Sequence, residues 1–163
     1  MKAILIIDHG SVRPAANHML DCVGELLQQM VGASVIVRVA HMELAEPSIG
    51  DGFEACVAAG ATEVIAFPYM LSPGKHSTRD IPRLVATAAE RHPHVTFLVT
   101  PAFGVHEKLA EVICERAGVL PLGHTGAPTA CVRPEGAGER HCGEACVESI
   151  GIGDSGSGIR PHR

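Results

Sequence analysis

The sequence predicts an α/β fold, a four-stranded parallel sheet flanked by helices, and three observations carry that reading. Short apolar runs alternate with longer amphipathic stretches. The first run, Ala3 to Ile7, is continuous rather than alternating, as in a strand buried on both faces. Glycine or proline marks most of the boundaries. Strands and helices alternating at this spacing form βαβ crossovers, and therefore a parallel sheet.

The elements follow in order. Ala3 to Ile7, bounded by Lys2 and Asp8, is the first strand. From Pro14 to Met30, apolar residues at Met19, Leu20, Val23, Leu26, Leu27 and Met30 recur at helical spacing, and Gly32 supplies a stop. Ser34 to Ala40 is β-branched and short, hence strand two. Pro47 opens a helix carrying Ile49, Phe53, Cys56 and Val57, which Gly60 ends. Glu63 to Met70 gives strand three, with Pro68 near the end of regular pairing. A helix starting at Pro82 runs to about Arg91, Val95 to Thr100 is strand four, and a last helix covers Val105 to Ala117.

After Gly118 the character changes. Ten of the 18 glycines lie between Gly118 and Gly158, and apolar periodicity is lost. The chain therefore divides into one domain, residues 1–118, and an irregular Gly/Pro-rich tail with Cys and His, residues 119–163, partly disordered.

A length of 163 residues suits one ordinary domain. The net charge of -5 argues against a general nucleic-acid binder, which needs a basic face. The apolar stretch before Asp8 is too short for a signal peptide or a membrane span, so a cytoplasmic protein with no membrane association is expected. Without a leader, the six cysteines read as reduced thiols or metal ligands. Cys22, Cys56 and Cys114 sit in apolar helical surroundings and are expected in the core.

Three polar side chains fall just after three consecutive strands: His9 after the first, Glu43 after the second, and His76 in the loop after the third. In a parallel sheet they share one edge, where open α/β folds bind ligands. A lone loop histidine is usually solvated, but the coincidence of three groups weighs against that. Two imidazoles facing one crevice can hold a divalent metal or take protons. Asp8 is expected to fix the turn, and with it an imidazole orientation, rather than to ligate. Gly10 and Gly74 are expected to let the backbone approach a ligand closely or take positive φ. His41 lies two residues before Glu43, on the same face if the strand persists, and is expected to support the site; His18 belongs to the first helix as a surface or packing residue.

Arg13, Lys75, Arg79 and Arg83 surround the two histidine segments in an acidic protein. Singly they read as solvated charge. Together they form a basic rim suited to a polyanionic small molecule. Neither a P-loop nor a G-x-G-x-x-G turn is present, so the expected chemistry runs without ATP or NAD.

The segments DHGS with Arg13 and Asn17 behind it, HMELAEPSI, and FPYMLSPGKHSTRDIP together resemble the short sirohydrochlorin chelatases, ATP-independent class II enzymes that insert a divalent metal into a tetrapyrrole. The resemblance covers residues 2–117, and HMELAEPSI is most similar to the siroheme ferrochelatase branch. It implies a chelatase-like domain in which His9 and His76 bind metal and accept protons, with Glu43 beside them as a third catalytic residue. It also implies substrate binding by Ser11, Arg13, Lys75 and Arg79, sirohydrochlorin as partner, Fe²⁺, Co²⁺ or Ni²⁺ as metal, and a homodimer. Some family members carry an iron–sulfur centre in a C-terminal extension, which would make Cys131, Cys142 and Cys146 possible cluster ligands. A fourth ligand would have to come from His141, Cys114, solvent or the other subunit, and a thiol-rich tail without a cluster is the competing reading.

Two further classes compete. A non-catalytic metal carrier would use the same histidine pair and Cys/His tail to hand metal over. Phosphoryl transfer through His9 would need an arginine immediately before the histidine, where Asp8 stands.

Overall fold

The structure is a computed structural model and describes residues 1–121 of the 163. Its strands are β1 (Lys2–Asp8), β2 (Val35–His41), β3 (Glu63–Pro68) and β4 (Thr96–Val99). All are parallel, in the order β2-β1-β3-β4. Four helices connect or follow them: α1 (Pro14–Val31), α2 (Ile49–Ala58), α3 (Ile81–Ala89) and α4 (Glu107–Ala117). The expected α/β architecture is therefore the observed one.

Central β1 pairs with β2 from Lys2↔Val35 to Asp8↔His41 and with β3 from Lys2↔Glu63 to Ile7↔Pro68. The chain leaves β1 towards β2 and later crosses back to β3 on the other side. Connections diverge at such a reversal, and a crevice opens at the carboxyl ends of the strands.

Alternate residues of β1 serve two cores. Ala3, Leu5 and Ile7 are fully buried in a cluster with Phe53 and Cys56 of α2 and Ile81 and Val85 of α3. Ile6 belongs to a second cluster with Val37, Leu20, Val23 and Leu27, built on α1. Each large side chain so buried contributes roughly 1.5–3 kcal/mol. Helix α2 comes close to the sheet because Gly52 has no side chain: a Cβ there would stand 2.8 Å from Leu5 Cδ1 and 2.9 Å from Ala40 Cβ. A sheet clamped on both faces holds its strand ends in fixed positions.

Helix α2 starts at Ile49, two residues later than expected, because Ser48 caps it. Asp51 N–H donates to Ser48 Oγ at 3.3 Å, and Ser48 N–H donates to Asp51 Oδ2 at 3.2 Å, a reciprocal capping box. The side-chain and backbone hydrogen bonds from Ser48 hold the Asp51 carboxyl below the usual carboxylate range. A depressed carboxylate stabilises the fold above its unfolded-state pKa, and that contribution disappears as pH falls through the folded value. Ser48→Ala, which removes the cap, should destabilise the fold at neutral pH, and the gap to wild type should narrow in acid. Urea unfolding at two pH values checks both statements.

Two of the three cysteines expected in the core are placed differently. Cys56 is buried, and burial pushes its thiol up to about 11. Cys22 is exposed on α1 and Cys114 only partly buried on α4; α1 carries apolar residues beyond the stripe that packs, Met19 and Met30 among them. Helix α4 has no buried residue at all. Cys131, Cys142, Cys146 and His141 lie outside the described residues.

Candidate metal and proton-transfer site

His9 follows β1 on a turn tied down twice. Gly10 N–H donates to Asp8 Oδ1 at 2.8 Å. Gly10 has φ +81°, and a Cβ there would lie 2.0 Å from the Glu43 carbonyl oxygen, so the turn rests directly on the segment after β2. The hydrogen-bond ladder also continues past the strands: Met42 N–H donates to Asp8 O at 2.9 Å and Glu43 N–H to His9 O at 3.1 Å. Two residues of the site thus share a backbone hydrogen bond. Further on, Ser11 N–H donates to Asn17 Oδ1 at 2.9 Å and Asn17 Nδ2 to Ser11 O at 2.8 Å, fastening the loop to α1.

His76 does not sit in a loop, as the sequence led us to expect. It opens a π-helical turn, His76–Asp80, in which Ile81 N–H reaches back to His76 O. The Gly74 carbonyl starts the turn by accepting Thr78 N–H at 2.9 Å and Thr78 Oγ1 at 2.8 Å. The turn runs straight into α3, which begins at Ile81 with Pro82 in its first turn. Gly74 does not take the positive φ expected as one of its roles, and a Cβ there would meet no protein atom within 4 Å.

The structure brings His9, Glu43 and His76 together. The imidazole centroids are 5.2 Å apart, edge to face at 73°. Two imidazoles sharing one ion through nitrogen bonds of about 2.1 Å at a tetrahedral angle place their centroids about 5 Å apart. Glu43 Oε2 lies 3.9 Å from His9 Nε2, and each of the three side chains is roughly half exposed. Among the described residues no set of three or more His, Cys, Asp or Glu side chains closes on one point.

The other nitrogens define which one works. His9 Nδ1 lies 3.3 Å from the Gly10 carbonyl, which can only accept, so a proton on Nδ1 would make that hydrogen bond and leave Nε2 to face Glu43 as an acceptor. His76 Nδ1 is shielded from water and makes no well-aligned hydrogen bond, with Asp80 Oδ2 at 3.2 Å. Asp80 Oδ1 accepts from Arg79 Nε at 3.1 Å. Burial opposes ionisation of Asp80, but the hydrogen bond and charge of Arg79, with Lys75 and His76, outweigh it and hold the carboxyl below its usual range. A carboxylate behind an imidazole favours one orientation of the ring. Sequence reasoning did not single out Asp80 as a neighbour of His76; its position four residues later was the available signal.

Arg13, Lys75, Arg79 and Arg83 are exposed. Ser11 Oγ accepts Arg13 N–H at 3.0 Å. His18 is exposed on α1, 3.6 Å from Asp21. His41 does not share a face with Glu43, because β2 ends at His41 and the chain turns; its ring is buried and bonded to Asp8. Asp8 does fix the turn, but the imidazole it orients is that of His41.

A family profile described as CbiX matches residues 3–119. The chain belongs to the CbiX family. The chloroplastic sirohydrochlorin ferrochelatase of Arabidopsis thaliana is 43% identical to it over 113 residues, which cover 69% of this chain and 50% of that protein. The sirohydrochlorin cobaltochelatase of Priestia megaterium is 35% identical over 119 residues, 71% of this chain and 37% of that one. Among solved structures, the sirohydrochlorin chelatase SirB from Bacillus subtilis subspecies spizizenii in complex with cobalt matches with a TM-score of 0.67 at 32% identity, covering 72% of this chain and 50% of that chain. The CbiX-family chain spans half or less of the length of these relatives. The matched span contains His9, Glu43, His76 and the whole basic rim, and stops before the tail cysteines. Among the described residues no helix is long and apolar enough to cross a membrane.

Proposed function

We propose that this chain is a sirohydrochlorin chelatase that inserts a divalent metal, Fe²⁺ or Co²⁺, into the macrocycle with loss of two pyrrole protons. The observation that carries the reading is the pair of imidazoles at 5.2 Å with a carboxylate 3.9 Å from one of them. In the tautomer with the proton on Nδ1, His9 Nε2 and the Glu43 carboxylate are two acceptors facing each other. A metal ion or a proton placed between them satisfies both, and insertion needs a site that holds first one and then the other.

In this mechanism His9 and His76 hold the incoming metal through Nε2, leaving positions for the pyrrole nitrogens. As the metal passes to the ring, the vacated imidazoles and Glu43 take up the pyrrole protons. Imidazole, with an ordinary pKa of about 6.5, can be both ligand and base near neutrality. Both metals accept imidazole and carboxylate donors, and the relatives' names include iron and cobalt enzymes. The test is an anaerobic spectral assay with sirohydrochlorin and each metal in turn, in which the protein should accelerate the change from free-base to metallated spectrum. No acceleration with any of Fe²⁺, Co²⁺ and Ni²⁺ would refute the proposal.

Sirohydrochlorin is a polycarboxylate, which Arg13, Lys75 and Arg79 suit. Their attraction is screened over a Debye length of about 8 Å at physiological ionic strength. KM should therefore rise with salt and in Lys75→Ala while kcat changes less. Steady-state kinetics across a salt series decide this, and a salt-independent KM would remove the rim from the account.

A second copy is proposed to cover the crevice. The three site side chains are half exposed. Val112 and Ile113 on α4 and Met19, Leu26 and Met30 on α1 are exposed apolar side chains of the kind an interface covers. Light scattering should give the mass of a dimer, and a fully active monomer would contradict this.

A further inference from the structure

We infer that His41 is a positioning residue for this site: its buried imidazole, acting through Asp8, holds the His9 turn and the Glu43 segment in register. The inference rests on the chelatase reading and extends it to a residue that cannot reach the substrate itself.

His41 and Ser77 are the buried polar side chains of the described core, and His41 is only 2% exposed. Its Nδ1 stands 2.6 Å from Asp8 Oδ1. The two residues are register partners at the last rung between β1 and β2. The same Asp8 oxygen accepts Gly10 N–H at 2.8 Å. One carboxylate oxygen therefore joins the end of β2 to the turn that carries His9.

Everything above this rung depends on it. Past the strands, the backbone bonds from Met42 N–H to Asp8 O and from Glu43 N–H to His9 O carry the pairing one step further, to the two site residues themselves. From the other side, His41 N–H donates to Pro47 O at 2.8 Å and His41 bridges to Ser48, where α2 is capped. The segment 42–46 is thus a loop closed at its base by His41, and Glu43 rides on it. Without a side chain that donates to Asp8, its carboxylate loses a charge-assisted hydrogen bond and the turn gains freedom. A misplacement of about 1 Å at reacting groups can cost on the order of a hundredfold in rate.

His41→Leu keeps an apolar volume in the core and removes the donor. Asparagine places its amide nitrogen near the position of imidazole Nδ1, whereas glutamine places it near Nε2. In the spectral insertion assay with the full chain, His41→Leu and His41→Gln should lose about tenfold or more in kcat with KM for sirohydrochlorin little changed. His41→Asn should recover most of the loss. If the leucine variant fails to fold, by circular dichroism, the contrast between the two amides still decides the matter. Equal rates for the asparagine and glutamine variants, wild-type kcat in His41→Leu, or an effect confined to KM would overturn the inference while leaving a turning-over wild type as a chelatase. A wild-type chain with no turnover would overturn both.

Discussion

Replacing His76 by alanine should lower the turnover number for metal insertion by about a hundredfold or more and leave the fold intact. The ring is partly exposed beyond the strand ends, and its contact with His9 lies outside the core. The π-helical turn that carries it is held by the Gly74 carbonyl, Ser77 and Thr78, none of which needs the imidazole. The same loss is expected in His9→Ala, since either replacement breaks the pair. Far-UV circular dichroism and the tetrapyrrole's visible spectrum, followed on the same samples, separate loss of chemistry from loss of structure. Near-normal turnover in folded His76→Ala would remove the histidine pair from the mechanism.

Gly10→Ala is the second large effect, and it acts through the backbone. The new Cβ would lie 2.0 Å from the Glu43 carbonyl oxygen, at a φ of +81°. A non-glycine residue at such a φ costs on the order of 1–3 kcal/mol, and the clash with backbone forces the turn off the β2 loop. Because Glu43 N–H is bonded to His9 O, the displacement separates two site residues. Stability should fall by a few kcal/mol and kcat by about tenfold or more. Gly74→Ala is the control: a Cβ there meets nothing, and both quantities should stay near wild type. Denaturant unfolding with kinetics on the two variants checks the contrast.

The sheet was legible because continuous apolar runs such as Ala3 to Ile7 suit little but strands buried on both faces. In a parallel sheet the residues just after the strands share an edge, so the sequence alone groups His9, Glu43 and His76. They meet because β2 and β3 are the two neighbours of β1. The segment HSTRD has no apolar residue, so its helical turn left no periodic trace and His76 read as a loop residue. Cys22 misled for the opposite reason: α1 is apolar around more of its circumference than the sheet covers, with Met19 and Met30 exposed, and periodicity does not say which stripe packs. The His41–Asp8 bond depends on the register of β1 against β2, which alternation within one strand does not specify.

The most direct test of the account is a multiple-turnover insertion experiment in which sirohydrochlorin and Fe²⁺ or Co²⁺ far exceed the protein under anaerobic conditions. A catalyst metallates many macrocycles per chain at a rate proportional to protein, releasing two protons for each metal inserted. That is the result expected here. Product that stops at the amount of metal loaded on the protein, or insertion no faster than in buffer while the chain binds cobalt, would instead describe a metal carrier and contradict the central claim.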